Sequence, residues 1–369
     1  MKLRYPQAAR WLLCACTAVL LVACGGGGGS EAEPEQPRDD SGDTVIPTPP
    51  PPPPPPPTPA ADLRNGSYTM VASDGYEYTL TLDFDAKTYK VVGNGIDEDG
   101  DIEADGSEFE FKPGNAVGST GFNTTRFSYV DNTVVGAYAL RSGAMPFVAA
   151  RSFMTNLPST TLTFNLLNRK VDPTYMYLAV GIRQAQITTD GKIRICRDAI
   201  LHEVTSCPEG SLFEAPLSMS GSQFSYPESD TLTVTFRLAN VGADKVYLGA
   251  SAAEGSPTAR QFTIGTPALP NFPIGSFTGA ATGAEWATLS IQEENFSLGL
   301  TSFTGTWRYD SGTIGTLAQL GTTLGSVAET ESENFGPLVG VRSTSLTAFI
   351  TAPWNSVSAL GGLFIGAVR

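Results

Sequence analysis

The chain has 369 residues and a formal net charge of −14 at pH 7, with 41% hydrophobic and 16% charged residues. An acidic chain of this kind is not expected to bind phosphate backbones or anionic lipid headgroups, so we expect no nucleic-acid partner.

The first 24 residues have the layout of a bacterial secretion signal. Three basic residues precede an apolar stretch from Trp11 to Ala23, which is too short to span a bilayer as a helix. The string from Leu21 to Cys24 resembles the lipobox of bacterial lipoproteins. This resemblance implies removal of residues 1–23 as a signal peptide and a covalent lipid on the Cys24 thiol. Because Gly25 rather than aspartate follows, it also implies sorting to the outer membrane. The lipid is the expected link to the membrane, since no later apolar run has transmembrane length.

Residues 24–61 are expected to form a disordered tether. Gly25–Gly29 is a glycine run, Glu31–Asp43 is acidic without periodicity, and Pro49–Pro57 is an unbroken run of prolines. Such a run forms an extended polyproline II rod, here about 28 Å long, which would hold the folded part away from the membrane. A ligand for aromatic grooves is the alternative role for this segment.

The remaining chain has the alternating pattern of β-strands. Apolar and polar residues alternate over Tyr78–Phe84, Thr161–Leu166 and Thr231–Phe236. Turn residues predict turns between strands at Ser73–Gly75, Thr189–Gly191 and Val241–Asp244. One segment, Thr313–Val327, has apolar residues at spacings of three and four, which predicts a helix interrupted by glycines. The pattern as a whole predicts an all-β fold of tandem antiparallel β-sandwich or β-barrel modules behind the tether.

Two short segments recur along the chain. Gly66–Thr69 matches Gly275–Thr278, and Leu80–Leu82 matches Leu289–Ile291 at the same offset. We therefore expect a β-rich domain over residues 62–270, divided into two sub-modules near residue 157, and a C-terminal β module over residues 271–369. The alternative is one large domain in which similar amphipathic strands have converged.

The C-terminal part carries the aromatic signal. Segments 303–309 and 360–366, which are FTGTWRY and LGGLFIG, are similar to the β-barrels of Gram-negative surface lipoproteins of the transferrin-binding and factor-H-binding type. The resemblance implies a barrel but transfers no ligand, because no ligand-binding motif matches. Trp286, Trp307 and Trp354 are candidate binding residues, since aromatic side chains are enriched at binding hot spots. Packing in a core is the alternative role of each.

Cys196 and Cys207 are the two cysteines left in the mature chain beyond Cys24. An exported protein meets an oxidising compartment, so we expect a disulfide between them. Two buried free thiols are the alternative. The single histidine, His202, lies between them, and no third sulfur is available to complete a metal site.

An acidic stretch is the other candidate site. Oxygen-rich loops bind calcium when a turn focuses their carboxylates. The spacing does not match an EF-hand, because Lys112 stands where a bidentate glutamate is required. A solvated hairpin loop is the alternative to a calcium site formed by Asp97, Asp99, Asp101, Glu103 and Asp105.

No catalytic motif stands out. A Ser-His-Asp triad would have to use His202, and no Gly-x-Ser-x-Gly elbow occurs. We therefore name no catalytic residue, and no cofactor beyond the lipid and the calcium hypothesis. The expected function is a lipid-anchored envelope or cell-surface protein that acts as a non-enzymatic binding module for a protein or glycan. An envelope hydrolase with a carboxylate pair and a periplasm-facing assembly factor are the alternatives, and the surface or periplasmic orientation stays open.

Overall fold

The computed structural model describes residues 60–114, 125–140, 143–171, 177–198, 202–253, 256–269, 275–281, 284–292, 295–301, 307–316, 327–332, 336–351 and 363–368. The signal, Cys24, the polyproline run and Trp354 lie outside these ranges. The described part consists of strands, joined by turns and one 3-10 turn at Val204–Ser206, which confirms the all-β fold class. None of its helical segments is long and apolar enough to cross a membrane.

The first sheet is a closed antiparallel barrel in which β1 pairs with both β2 and β8. Alternation explains its strands, since Tyr78, Leu80 and Leu82 of β2 point into a buried core while Thr79 between them is exposed. The strands of this barrel are β1 (Gly66–Ala72), β2 (Glu77–Asp83), β3 (Thr88–Gly93), β4 (Ile96–Asp105), β5 (Glu108–Pro113), β6 (Thr125–Val130), β7 (Thr133–Leu140) and β8 (Gly143–Ala150).

The middle sheet has its strands in the spatial order β12-β11-β10-β9-β17-β16-β15-β14-β13. The strand of this sheet that comes last in the sequence, β17, lies at its centre and pairs with β9 and β16. The strands of this sheet are β9 (Leu162–Val171), β10 (Tyr177–Ile187), β11 (Lys192–Cys196), β12 (Leu212–Pro216), β13 (Ser218–Ser220), β14 (Gln223–Pro227), β15 (Thr233–Val241), β16 (Asp244–Ala253) and β17 (Ser256–Pro267).

The third sheet is a second closed barrel, in which β18 pairs with β19 and β25. The helix predicted over Thr313–Val327 is wrong at its start, because Thr313 pairs with strands on both sides and residues 314–316 pair with β22. Residues 317–326 lie outside the described ranges. The strands are β18 (Gly275–Ala281), β19 (Ala284–Gln292), β20 (Asn295–Thr301), β21 (Trp307–Thr316), β22 (Val327–Ser332), β23 (Gly336–Arg342), β24 (Leu346–Thr351) and β25 (Leu363–Val368).

The two barrels begin with the same strand register. Gly66 of β1 pairs with Leu82 of β2, and the matching Gly275 of β18 pairs with Ile291 of β19. The closing pairs also correspond, since Ala72 faces Phe147 in the first barrel as Ala281 faces Phe364 in the second. The segments that recur in the sequence are therefore the equivalent first two strands of two barrels.

One hydrophobic core joins the three sheets. Outward-facing residues of both barrels pack against one face of the middle sheet. Val71 and Val148 of the first barrel, Leu248 and Ile264 of the middle sheet, and Leu346 and Ile365 of the second barrel belong to one buried cluster. The opposite face of the middle sheet has a separate core of its own. This second face is therefore the one that the barrels leave uncovered.

Polar contacts at the turn between β1 and β2 also link the first barrel to the middle sheet. Arg169 of β9, which is 1% exposed, donates from Nη1 to the Ser73 carbonyl at 2.8 Å. Glu77 forms an ion pair with Arg237 of β15 at 3.2 Å. The turn is thus held by both hydrogen bonds and charge.

Candidate ligand-binding cleft

The middle sheet curls so that its uncovered face is concave. Phe213 of β12 contacts Tyr226 of β14 with ring centroids 5.9 Å apart, although these strands are not neighbours in the sheet. Arg197, just after β11, reaches across to Glu228 with 2.7 Å between Nη2 and Oε1. These contacts nearly close the sheet around a cleft of about 150 Å³, lined by residues of β9, β10, β11 and β14 to β17.

Tyr226 and Tyr247 form the aromatic floor of the cleft, and further aromatic rings pack behind them. Phe236 stacks on Tyr247 with centroids 4.2 Å apart, and Phe224 stacks on the other side of Phe236 at 5.2 Å. Gly265 makes room for this packing, because a Cβ there would lie 2.4 Å from a methyl carbon of Leu166. The cleft floor is therefore rigid and closely packed.

The two tyrosines of the floor keep their protons at neutral pH. Burial raises the pKa of the Tyr247 phenol well above its usual 10.0, and the neighbouring Tyr226 raises it further. Burial likewise raises the pKa of Tyr226, with the charge of Glu228 as the next cause. Both phenols therefore stay neutral, and their hydroxyl groups hydrogen-bond to each other.

A row of polar side chains lies beside this floor. Thr263 of β17 donates to Asn168 Oδ1 at 2.7 Å, and Gln261 Nε2 donates to the same oxygen at 3.4 Å. Asn168 faces Gly181 across the β9–β10 pair, and a Cβ built at Gly181 would meet nothing within 4 Å. The cleft is thus open above Gly181 and lined with amide and hydroxyl groups on one side.

Two cations line the cleft without a carboxylate partner in the described part of the chain. Lys170 lies two residues beyond Asn168 on β9, and Arg183 lies two residues beyond Gly181 on β10. The single carboxylate of the lining, Glu228, is already engaged by Arg197. The cleft therefore has an excess of positive charge inside a chain of net charge −14.

This arrangement can bind but lacks the groups for acid–base hydrolysis. Glycoside hydrolysis by the usual routes needs two facing carboxyl groups, whereas the described lining offers only Glu228. The histidine lies elsewhere, with His202 Nε2 3.3 Å from Asp198 Oδ2, and no described hydroxyl side chain hydrogen-bonds to it. The described lining of the cleft therefore offers charged groups, hydrogen-bonding groups and ring contact.

The expected disulfide is confirmed. Cys196 and Cys207 are bonded, with their Cα atoms 5.6 Å apart. Cys196 ends β11 and is 3% exposed, so the bond ties the loop after β11 to the wall of the curled sheet.

The acidic stretch is not the solvated hairpin loop that the sequence offered as the alternative to a calcium site. Residues 96–105 are strand β4, because Gly100 and Ile102 turn inward while the carboxylates alternate outward. Three of the five candidate carboxylates have cationic partners on other strands of the barrel: Asp97 with Lys90 of β3 at 2.8 Å, Glu103 with Lys112 of β5 at 3.2 Å, and Asp105 with Arg126 of β6 at 2.9 Å.

Calcium binding by this stretch stays a prediction without structural support. Asp99 and Asp101 are the two candidates that form no ion pair in the described ranges. No three carboxylate, thiol or imidazole groups among the described residues are arranged to hold a metal ion.

The tryptophans stay untested as binding residues. Trp286 of β19 and Trp307 of β21 both pair with Thr301 of β20 in the strand register, from opposite sides. Trp354 lies outside the described residues.

None of the residues that line the cleft is among the candidate site residues predicted from the sequence. A signal exists in β9, where alternate positions change from apolar to polar in the order Phe164, Leu166, Asn168 and Lys170. On a strand that buries both faces, such a change marks the end of the core on one face.

No known protein-family model matches the chain, and no curated protein matches it. Among solved structures, a mutant of transferrin binding protein B from Haemophilus parasuis aligns with 10% identity and a TM-score of 0.27, over 81% of this chain and 66% of that one. A double mutant of the same protein aligns over 79% of this chain and 65% of that one, with the same identity and TM-score. The chain thus spans about two thirds of the length of those structures. A DNA polymerase sliding clamp from Bacillus subtilis aligns with 9% identity and a TM-score of 0.14, over 82% and 91% of the two chains.

Proposed function

We propose that this chain is a lipid-anchored envelope lipoprotein that works as a non-enzymatic binding module, with the concave cleft of the middle sheet as its ligand site. The observation that carries this proposal is the composition of the cleft. Its described lining combines neutral hydrogen-bonding groups, an aromatic floor and two cations, but has one ion-paired carboxylate in place of a catalytic pair.

The anchoring half of the proposal rests on the sequence. The lipobox ending at Cys24 would place lipid on the mature N-terminus, and Gly25 favours the outer membrane. A fully acylated lipoprotein cysteine carries several chains, which gives stable membrane attachment. The polyproline rod would then hold the β-sheets away from the bilayer surface.

The size of the cleft limits the kind of ligand that it can bind. A protein partner normally buries at least ~1,000 Å² of total surface in a specific interface. A cleft of about 150 Å³ instead suits a small molecule or the terminal unit of a glycan. We therefore favour a small ligand or glycan end over a protein partner at this site.

The cleft also separates the binding module from the alternative hydrolase. A retaining or inverting glycosidase holds its two carboxyl groups roughly 5 to 9.5 Å apart. Glu228 would need a second carboxylate facing it, whereas the described lining holds no other carboxylate and Glu228 forms an ion pair with Arg197. Binding without turnover is therefore the expected behaviour.

A combined binding and turnover assay tests the proposal. The mature full-length chain is titrated calorimetrically with acidic and neutral monosaccharides, and the corresponding aryl glycosides are followed for release of the aryl group. Heat of binding without product supports a binding module. Product release that disappears in Glu228→Gln would overturn the proposal and support the hydrolase. Protease digestion of intact cells determines whether the protein faces the medium or the periplasm.

A further inference from the structure

The cations of the cleft differ from those on the other face of the middle sheet in whether they have carboxylate partners. On strand β11, Lys192 and Arg194 point away from the cleft, and both pair with Glu214, at 2.6 Å and 2.7 Å. Lys170 and Arg183, which line the cleft, have no such carboxylate among the described residues. Half-buried cations without an anion favour an anionic ligand, since a charge is costly to bury unless it is paired.

The neutral side chains of the cleft also indicate which chemical groups the ligand carries besides its charge. The side-chain oxygen of Asn168 already accepts from Thr263 and Gln261, so its amide N–H groups are left as donors toward the cleft. Tyr226 and Tyr247 form the neutral aromatic floor beside this amide, and the Thr263 hydroxyl lies on the same wall as Asn168. Such a combination of donors, hydroxyls and ring faces suits a ligand that is polyhydroxylated around a ring.

The volume limits the ligand to about one ring. Drug-sized ligands occupy pockets of roughly 300–1,000 Å³, and a cavity of ~150 Å³ takes a molecule of the size of benzene. The cleft has about 150 Å³, with open space above Gly181 between the two cations. A single six-membered ring with substituents matches this space.

We infer that the cleft binds the carboxylate form of a single acidic sugar, free or at the end of a glycan, with Lys170 and Arg183 as its cationic anchors. The guanidinium of Arg183 can meet a carboxylate through two parallel hydrogen bonds, and Lys170 adds a second charge. Asn168 and Gln261 would bind ring hydroxyls. This inference rests on the proposed binding function and adds the ligand class.

The test measures affinity of the mature full-length chain by calorimetry for glucuronate and galacturonate, with glucose as the uncharged counterpart and inorganic phosphate as a bare anion. We expect at least one uronate to bind at least tenfold more tightly than glucose and phosphate, because charge-assisted hydrogen bonds are the strong ones. The double variant Lys170→Gln/Arg183→Gln should lose about tenfold or more in affinity. Arg194→Gln, which removes a cation from the opposite face, should not.

Circular dichroism and the unfolding midpoint establish that the variants fold. Equal affinity for glucose, equal affinity for phosphate, an unchanged double variant, or no uronate binding up to about 10 mM would each overturn the acidic-sugar assignment. A neutral sugar bound without turnover would overturn this inference and leave the binding function intact. Product release from a glycoside would instead overturn the binding function itself.

Discussion

Tyr78 of β2 donates its phenolic hydrogen to Asp74 Oδ2 at 2.5 Å. Asp74 lies in the turn between β1 and β2, which contacts the middle sheet. Asp74 is 1% exposed, and burial raises the pKa of its carboxyl from 3.8 to about 6. Hydrogen bonds from Tyr78 and from the backbone N–H of Tyr76 oppose this rise, as do two arginines of the middle sheet. A junction between two sheets therefore contains a group that titrates in mild acid.

The stability of the protein should depend on pH through Asp74. Its folded pKa lies above the unfolded value, so the folded state binds the proton more tightly. The contribution of Asp74 is most favourable below pH 3.8 and is lost as pH rises through about 6. Asp74→Asn keeps a hydrogen-bond acceptor without the charge, and should raise the free energy of unfolding at pH 7.5 by about 2 kcal/mol.

Urea unfolding of the wild type and Asp74→Asn at pH 5.0 and 7.5 measures this difference, where both values are about one unit or more from the folded pKa near 6. Asp101→Asn, which changes an exposed carboxylate of β4, is the matched control. If the difference in unfolding free energy between the wild type and Asp74→Asn were the same at both pH values, Asp74 would not be the titrating group.

Two glycines of the middle sheet should respond oppositely to the same substitution. Gly265→Ala would place a Cβ 2.4 Å from Leu166 and 2.9 Å from Tyr247, whereas Gly181→Ala meets nothing within 4 Å. We expect Gly265→Ala to lower the free energy of unfolding by about 1–3 kcal/mol through overpacking. Gly181→Ala should leave it unchanged or raise it slightly, because alanine reduces the entropy of the unfolded chain. Chemical denaturation of both variants decides, and equal effects would refute the packing argument.

Removing the disulfide should destabilise the protein without unfolding it. The bond between Cys196 and Cys207 closes a short loop with a sequence separation of 11 residues. The chain-entropy treatment of such a loop gives roughly 3 kcal/mol. The double variant Cys196→Ser/Cys207→Ser should therefore show a lower urea midpoint, and reduction of the wild type should reproduce the shift. Unchanged midpoints in both experiments would show that the bond does not stabilise the fold.

Cys24→Ala should abolish lipid attachment and leave the precursor unprocessed. The segment from Leu21 to Cys24 resembles a lipobox, and this resemblance predicts the acylated thiol at Cys24. Metabolic labelling with a palmitate analogue measures acylation, with Cys207→Ser as the control that removes a different thiol. Equal labelling of Cys24→Ala and wild type would exclude Cys24 as the lipidation site.

Local patterns were sufficient for much of the fold. The three predicted strand cores lie in β2, β9 and β15, and each of the three predicted turns between strands contains a glycine with positive φ: Gly75, Gly191 and Gly242. Period-two alternation and left-handed turn residues are properties of a few neighbouring positions, so they can be seen in one sequence.

The failures came where pairing overrode local composition. The charges of residues 97–105 suggested a loop, but ion pairs with cations on β3, β5 and β6 stabilise an exposed strand face. The apolar spacing after Thr313 suggested a helix, but hydrogen bonding to β20 and β22 makes this stretch a strand. In both cases pairing with neighbouring strands fixed the secondary structure. The propensity of a single segment does not reveal these partners.

The sequence by itself predicted an export signal that ends before Cys24, the β character of the chain, and a disulfide between the two cysteines of the mature domain. Only the tertiary structure decided where a ligand could bind. Asn168, Gly181 and Thr263 meet in one row because the register of β9, β10 and β17 aligns them. Which face of that row is concave depends on how the sheet curls and on where the two barrels pack, and these are properties of the whole assembly of strands that no single strand's pattern contains.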